Sequence, residues 1–167
     1  MGTAAGTGRR VSLAVAATLL LTGCDRSPGA VPVSPVGSTP PAHPSGLFAS
    51  TSQTLGAVVI DGQGYLLYRS DRDDRAPSRS RCTGSCAQRW LPVPAASDLR
   101  VVGINRQLVG TLARPDGRLQ LTLDGWPLYG YAGDRAPGDA TGQEVDGVWR
   151  VVRPDGSAAT GRPGPGG

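Results

Sequence analysis

Two side-chain sets in this chain have the types and spacing that chemistry needs. The first is Cys82 and Cys86, with three residues between them. Joined as a disulfide, they close a small ring of modest stabilising effect, as suits an oxidising compartment. As thiolates they could grip Cu(I), but the sole histidine is His43 and the sole methionine Met1, so further soft ligands are lacking nearby. As a redox pair they would draw on Arg81 and Arg89 to lower a thiol pKa.

The second set is Tyr68 with Asp73 and Tyr129 with Asp134, each aspartate five residues after its tyrosine. Repeat-related carboxylates that converge can bind a cation or a sugar hydroxyl. In a turn, each would instead accept backbone N–H bonds. With Tyr131, these four residues form the candidate ligand-binding set. Catalysis finds no machinery. Residues 55–156 contain no histidine, and lysine is absent altogether, so a nucleophile has no base. Glu144, the sole glutamate, lies in a Gly-rich loop with nothing pairing it to Asp134, and glycoside hydrolysis needs two facing carboxyls. No Gly-rich phosphate loop opens a helix. The expectation is therefore no catalytic residue, no cofactor and no metal site.

The elements that must position these residues come in two copies. Leu119, Leu121 and Leu123 alternate with polar residues, the period of a half-buried strand. Asp124-Gly125 then supplies a tight reversal into a strand through Leu128, Tyr129 and Tyr131. The stretch from Val58 to Asp73 repeats the phrase: apolar strand, Asp-Gly, Leu-Tyr, Asp. Each copy is followed by a loop and a tryptophan, Trp90 and Trp149, the expected core anchors. Further strands are expected at 55–61, 65–69, 99–104, 108–112 and 148–152, and one helical turn at most at 86–90. The class is all-β: two related hairpin-containing repeats packed as one small sandwich- or barrel-like domain, each burying the other's apolar face. Repeat 1 is placed at about 55–95 and repeat 2 at about 108–156.

Outside 55–156 the chain reads differently. Arg9 and Arg10 precede an apolar run, Val11 to Leu21, with small residues after it, which marks 1–23 as a signal peptide. The run is shorter than the roughly 20 residues of a permanent membrane span. The ending Leu21-Thr22-Gly23-Cys24 resembles the lipobox of bacterial lipoproteins. That resemblance implies cleavage before Cys24, a diacylglyceryl thioether on it and an acylated amine; an ordinary signal with an incidental cysteine is the alternative. Two or three acyl chains, at about 0.8 kcal/mol per buried CH₂, would hold the chain to the outer face of the cytoplasmic membrane. With Cys24 lipidated, the remaining cysteines form a pair. Residues 24–54 then read as a Pro/Ser/Gly tether and 157–167 as a flexible tail.

The formal charge of +4 falls to +2 without Arg9 and Arg10, as fifteen arginines then face thirteen acids. Six arginines crowd between Arg69 and Arg89, interleaved with Asp71, Asp73 and Asp74, which reads as a solvated loop of mixed charge. A nearly neutral exported domain is a poor partner for nucleic acid.

Several motifs in order carry a family resemblance: two Tyr-x-aromatic-x-x-Asp phrases, Cys82-x-Gly-x-Cys86-Ala, Trp90-x-Pro, Arg114-x-Asp-Gly, and Asp124-Gly-x-Pro-Leu-Tyr with Gly133-Asp134 after it. They resemble the bacterial predicted lipoproteins with a secreted repeat of unknown function, common in actinobacteria. The likeness spans Leu55 to Gly156. The chain departs from it at Ser70, where the first copy lacks its aromatic, and at Leu123-Asp124, where relatives often show Tyr-Asn. The resulting expectation is a lipid-anchored extracytoplasmic module that binds an envelope polymer or a protein partner. The alternative is a redox or copper-handling accessory protein using Cys82 and Cys86.

Overall fold

The computed structural model describes residues 46–161. The expected signal peptide, Cys24 and the residues up to 45 lie outside that range, as do residues 162–167. The described residues begin with β1 (Gly46–Ser52) and β2 (Gly56–Ile60), an antiparallel hairpin with Phe48 opposite Ile60. The Asp61 carboxylate then organises the reversal into β3 (Tyr68–Ser70), accepting the backbone N–H groups of Gln63 at 2.8 Å and Tyr65 at 3.0 Å. β4 (Asp74–Arg75) and β5 (Ser78–Arg79) make a minimal hairpin, and the single-turn α1 (Ser85–Arg89) leads into β6 (Trp90–Pro92). β7 (Arg100–Val102) returns parallel to β1.

The second copy consists of β8 (Val109–Ala113), β9 (Leu119–Leu123), β10 (Trp126–Pro127), β11 (Tyr129–Tyr131) and β12 (Trp149–Val151). Asp124 and Gly125 turn β9 into β10 with φ of 49° and 79°, both left-handed. That geometry matches the right-handed strand twist and explains the Asp-Gly pair.

The two copies exchange strands. The central sheet runs β12-β3-β11-β6, so each copy's tryptophan strand pairs with the other copy's tyrosine strand. Tyr129 sits opposite Tyr68 at the centre. Two triangles of backbone hydrogen bonds repeat the exchange. In one, Val59 N–H donates to the Val152 carbonyl (2.9 Å), Val152 to Leu67 (2.9 Å) and Leu67 to Val59 (3.0 Å). In the other, Leu121 donates to Val93 (2.8 Å), Val93 to Leu128 (3.0 Å) and Leu128 to Leu121 (3.0 Å). Each triangle takes two segments from one copy and one from the other. A copy alone would leave buried backbone groups unpaired, which folding does not tolerate.

Packing follows the same plan. One core cluster gathers Tyr68, Trp90, Tyr129 and Trp149 with Leu55, Val58 and Val151. The second gathers Val59, Leu67, Val93, Leu121, Leu128 and Val152, the residues of the two triangles, with Leu47 and Leu123. The domain is all-β and built from two repeats, as expected; its small sheets do not close into a barrel among the described residues.

Three sequence expectations need correction. The tether was expected to reach residue 54, yet β1 begins at Gly46. Its Ala-Ser-Thr-Ser composition continues the look of the preceding segment. It is a strand because it zips along β2 and sends Leu47 into the core. The tail was expected from 157, yet Ala158 bridges Val152, and Ala159 is buried and donates its N–H to the Val151 carbonyl at 2.8 Å. β9 was expected to be half-buried with its leucines inward. Instead Leu119 is exposed, while Gln120 and Thr122 are buried, because the strand is covered on both faces and its polar side chains are satisfied internally.

Candidate functional site

The tyrosine–aspartate pairs form a reciprocal clasp. Tyr68 donates its hydroxyl to Asp134 Oδ2, and Tyr129 donates to Asp73 Oδ2, both at 2.7 Å. Each tyrosine thus binds the aspartate of the other repeat. The second oxygen of Asp73 accepts the Arg81 backbone N–H at 2.7 Å. That of Asp134 accepts the Thr141 N–H at 3.0 Å and the Thr141 hydroxyl at 2.6 Å. Burial raises both carboxyls above the ordinary aspartate range, and the hydrogen bonds they accept oppose it. Burial and the adjacent carboxylates push both phenols up, so each remains a donor. Gly142 permits this closeness: a Cβ there would lie 2.9 Å from the rings of Tyr68 and Trp90.

A buried polar chain extends the clasp to the cysteine loop. Tyr129 Oη also lies 2.7 Å from Ser80 Oγ, which accepts from Arg114 Nη1 at 3.0 Å. Arg114 donates as well to Gln120 Oε1 and to the Cys82 carbonyl, the latter at 2.7 Å. Gln120 Nε2 closes the chain on the Leu128 carbonyl at 2.7 Å. A buried guanidinium needs such partners to offset desolvation. The loop it holds carries the Cys82–Cys86 disulfide, with Cα atoms 5.2 Å apart. Both sulfurs are then bonded to each other and unavailable as thiolate ligands.

The tryptophans meet at the pseudo-twofold relation of the repeats. Their rings stack at 3.7 Å with planes 7° apart. Tyr68 meets Trp90 edge-on at 5.4 Å, and Tyr129 meets Trp149 edge-on at 5.0 Å. Tyr131 lies on Trp90 at 4.3 Å and, half-exposed, receives a hydrogen bond from Arg89 at 3.1 Å. Next to this cluster opens a cleft of about 460 Å³, lined by Ser70, Trp149, the disulfide and the side chains of Arg72, Arg81 and Arg89. Arg81 is engaged by both oxygens of Asp74, and Arg89 approaches Asp146 at 3.9 Å. The Arg72 guanidinium has no ion-pair partner among the described residues.

A family model described as a secreted repeat of unknown function matches residues 49–94 and 110–153. The chain belongs to this family. The two matched segments start within β1 and β8 and run past the tryptophan strands, so this secreted-repeat protein carries the repeat twice, and the two copies are the strand-exchanged halves of the fold. Membership makes it an extracytoplasmic module. No significant match emerged among curated proteins or among solved structures. No helix among the described residues is long and apolar enough to cross a membrane. Nor do three His, Cys, Asp or Glu side chains cluster there as a metal site would require.

Of the expected ligand-binding residues, Tyr68, Asp73, Tyr129 and Asp134 come together as the clasp, and Tyr131 flanks the tryptophans. Asp73 alone of these five also reaches the cleft. Sequence reasoning did not find Ser80, Arg114 or Gln120, whose roles arise from a polar chain crossing both repeats. Nor did it find Arg72, Arg89 and Asp146 as cleft residues. Ser70 was legible as a departure from the repeat, without its consequence.

Proposed function

We propose that this secreted-repeat protein is a lipid-anchored binding module, not an enzyme, and that the cleft beside Cys82–Cys86 takes its ligand. The anchor follows from the lipobox-like Leu21–Cys24 ending, with the membrane as the partner of Cys24 and the outer face of the cytoplasmic membrane as its place. An envelope component is the expected ligand, and nucleic acid is not. The observation that carries the reading is the cleft itself. Its volume of about 460 Å³ lies within the usual range for small-molecule sites, and its walls are held by the clasp, the Arg114 network and the disulfide. A free guanidinium at such a rim is a ready anchor for an anionic group.

Two measurements test it. The Cys24→Ser precursor should lose detergent partitioning after its signal is removed; retained partitioning would remove the anchor from the account. For binding, the mature chain in detergent is titrated with fragments of four classes: anionic, cationic, neutral sugar and aromatic. A binding module shows saturable amide-shift changes at Ser70, Arg72 and Trp149 with at least one class. Silence at these positions with all four would overturn the reading.

The disulfide's place in the cleft wall favours a second reading, a redox or copper-handling accessory. Copper stoichiometry on the reduced chain, under anaerobic conditions, decides it. One tightly held Cu(I) per chain that disappears in Cys82→Ser/Cys86→Ser would favour this reading over the first.

A further inference from the structure

The ring arrangement around the tryptophans is asymmetric in one place, and the cleft lies there. β11 pairs Tyr131 with Trp90, and β3 pairs Ser70 with Trp149 in the equivalent position. Every other ring has its counterpart: Tyr68 against Trp90, Tyr129 against Trp149, and the tryptophans against each other. Tyr131 and Trp149 lie 4.3 Å and 3.7 Å from the Trp90 ring, distances at which two rings cannot share one face of an indole. The order is therefore Tyr131, Trp90, Trp149, with Ser70 where a fourth ring would stand. Ser70 and Trp149 both line the cleft.

We propose that the cleft binds a planar aromatic molecule bearing an anionic group, whose ring takes the place that Tyr131 occupies in the other repeat. This deepens the binding-module reading and rests on it. The ring class follows from the repeat, since the same scaffold already packs a six-membered ring at the equivalent position. The charge follows from the rim. Among the described residues Arg72 has no ion-pair partner, and Arg89 meets Tyr131 and, at 3.9 Å, Asp146. Trp149 is 4% and Ser70 2% exposed, so entry of the guest ring requires side chains that now cover the indole to give way, with the disulfide as the neighbouring wall. Asp73 turns its two oxygens to the Tyr129 hydroxyl and the Arg81 backbone N–H, and the two acids of the lining, Asp73 and Asp146, are outnumbered there by Arg72, Arg81 and Arg89.

The test uses the mature chain in detergent and four probes: benzenesulfonate, methanesulfonate, benzyl alcohol and benzylammonium. Benzenesulfonate should saturate at millimolar concentration and shift the amides of Ser70, Arg72 and Trp149. The other three should bind about tenfold more weakly, each lacking the ring, the charge or its sign. Arg72→Ala, an exposed position, should fold normally and weaken benzenesulfonate about fivefold through the lost ion pair. Ser70→Tyr should fill the site, abolish binding and hold or raise the melting temperature. Ser70→Tyr that binds like wild type, or benzylammonium binding as well as benzenesulfonate, would refute the proposal. If a probe lacking ring or negative charge saturates the same amides preferentially, the ligand class is wrong and the binding-module reading stands. If no probe and none of the four fragment classes moves those amides, both fall together.

Discussion

Removing one hydroxyl from each half of the clasp should cost unequal amounts. Tyr68→Phe frees Asp134 Oδ2, but Asp134 is only half-buried and keeps both Thr141 bonds on its other oxygen. Tyr129→Phe leaves the Oδ2 of buried Asp73 without its donor and takes one bond from buried Ser80 Oγ, which keeps Arg114 and the Cys82 backbone, so the chain to Arg114 is loosened as well. Hydrogen bonds to charged groups contribute about 1.5–3 kcal/mol, and a buried group left unsatisfied costs about 1–3 kcal/mol. On that scale Tyr68→Phe should cost about 1.5 kcal/mol and Tyr129→Phe about 3 kcal/mol. For a domain of this size those losses correspond to roughly 6 °C and 12 °C in melting temperature. Urea unfolding read by tryptophan fluorescence is suitable, because both clasp tyrosines pack edge-on against the stacked indoles. Adding Asp73→Asn to Tyr129→Phe should cost less than the separate losses combined, by about 1 kcal/mol or more, since the two groups touch. Equal costs for the two tyrosines, or additive behaviour of Tyr129 with Asp73, would refute the reasoning.

Other expectations concern the core, the ring and pH. Trp90→Ala and Trp149→Ala should each destabilise by about 3–5 kcal/mol, and an unchanged urea midpoint for either would remove it from the core. Replacing Cys82 and Cys86 together by serine should cost about 2 kcal/mol, the loop-closure value for so short a ring, and weaken ligand binding, since the disulfide forms part of the cleft wall. Unchanged stability would reverse the structural assignment of the ring. The carboxyls of Asp73 and Asp134 are raised by burial, so between the ordinary aspartate value and their folded values the folded state holds more protons than the unfolded one. Stability contributed by these groups therefore rises as pH falls through that window and is lost as pH rises through it. Asp116 and Asp139 act in the opposite sense, since hydrogen bonds lower their values. The difference in unfolding free energy, wild type minus Asp73→Asn, should accordingly increase on acidification from neutral pH and level off below the ordinary aspartate range. A difference independent of pH would exclude a raised Asp73.

Legibility followed the range of the interactions. The Asp124-Gly125 hairpin, the strand through Tyr129 and the repeat itself were readable because local backbone preference and short-period patterning determine them. β1 was not, since a strand of small polar residues is specified by its neighbour β2 and not by its own composition. The burial of Gln120 was not legible for a related reason: alternation identifies two faces, but cannot say that both are covered. The tyrosines and aspartates were legible as important, yet their partners lie across the repeats, and spacing along one copy cannot reveal an exchange between two. Ser70 is the instructive case. Its departure from the pattern was visible in the chain, and its meaning required knowing that residue 131 lies on one indole and residue 70 beside the other.

The account turns on what occupies the space between Ser70 and Trp149. The direct measurement is the set of intermolecular nuclear Overhauser effects between benzenesulfonate ring protons and the mature chain. The account predicts contacts to the Trp149 indole and the Ser70 β-protons, none to Tyr131, and their disappearance in Ser70→Tyr. Contacts to Tyr131, or to Trp126 beneath Arg69, in place of Trp149 would contradict it.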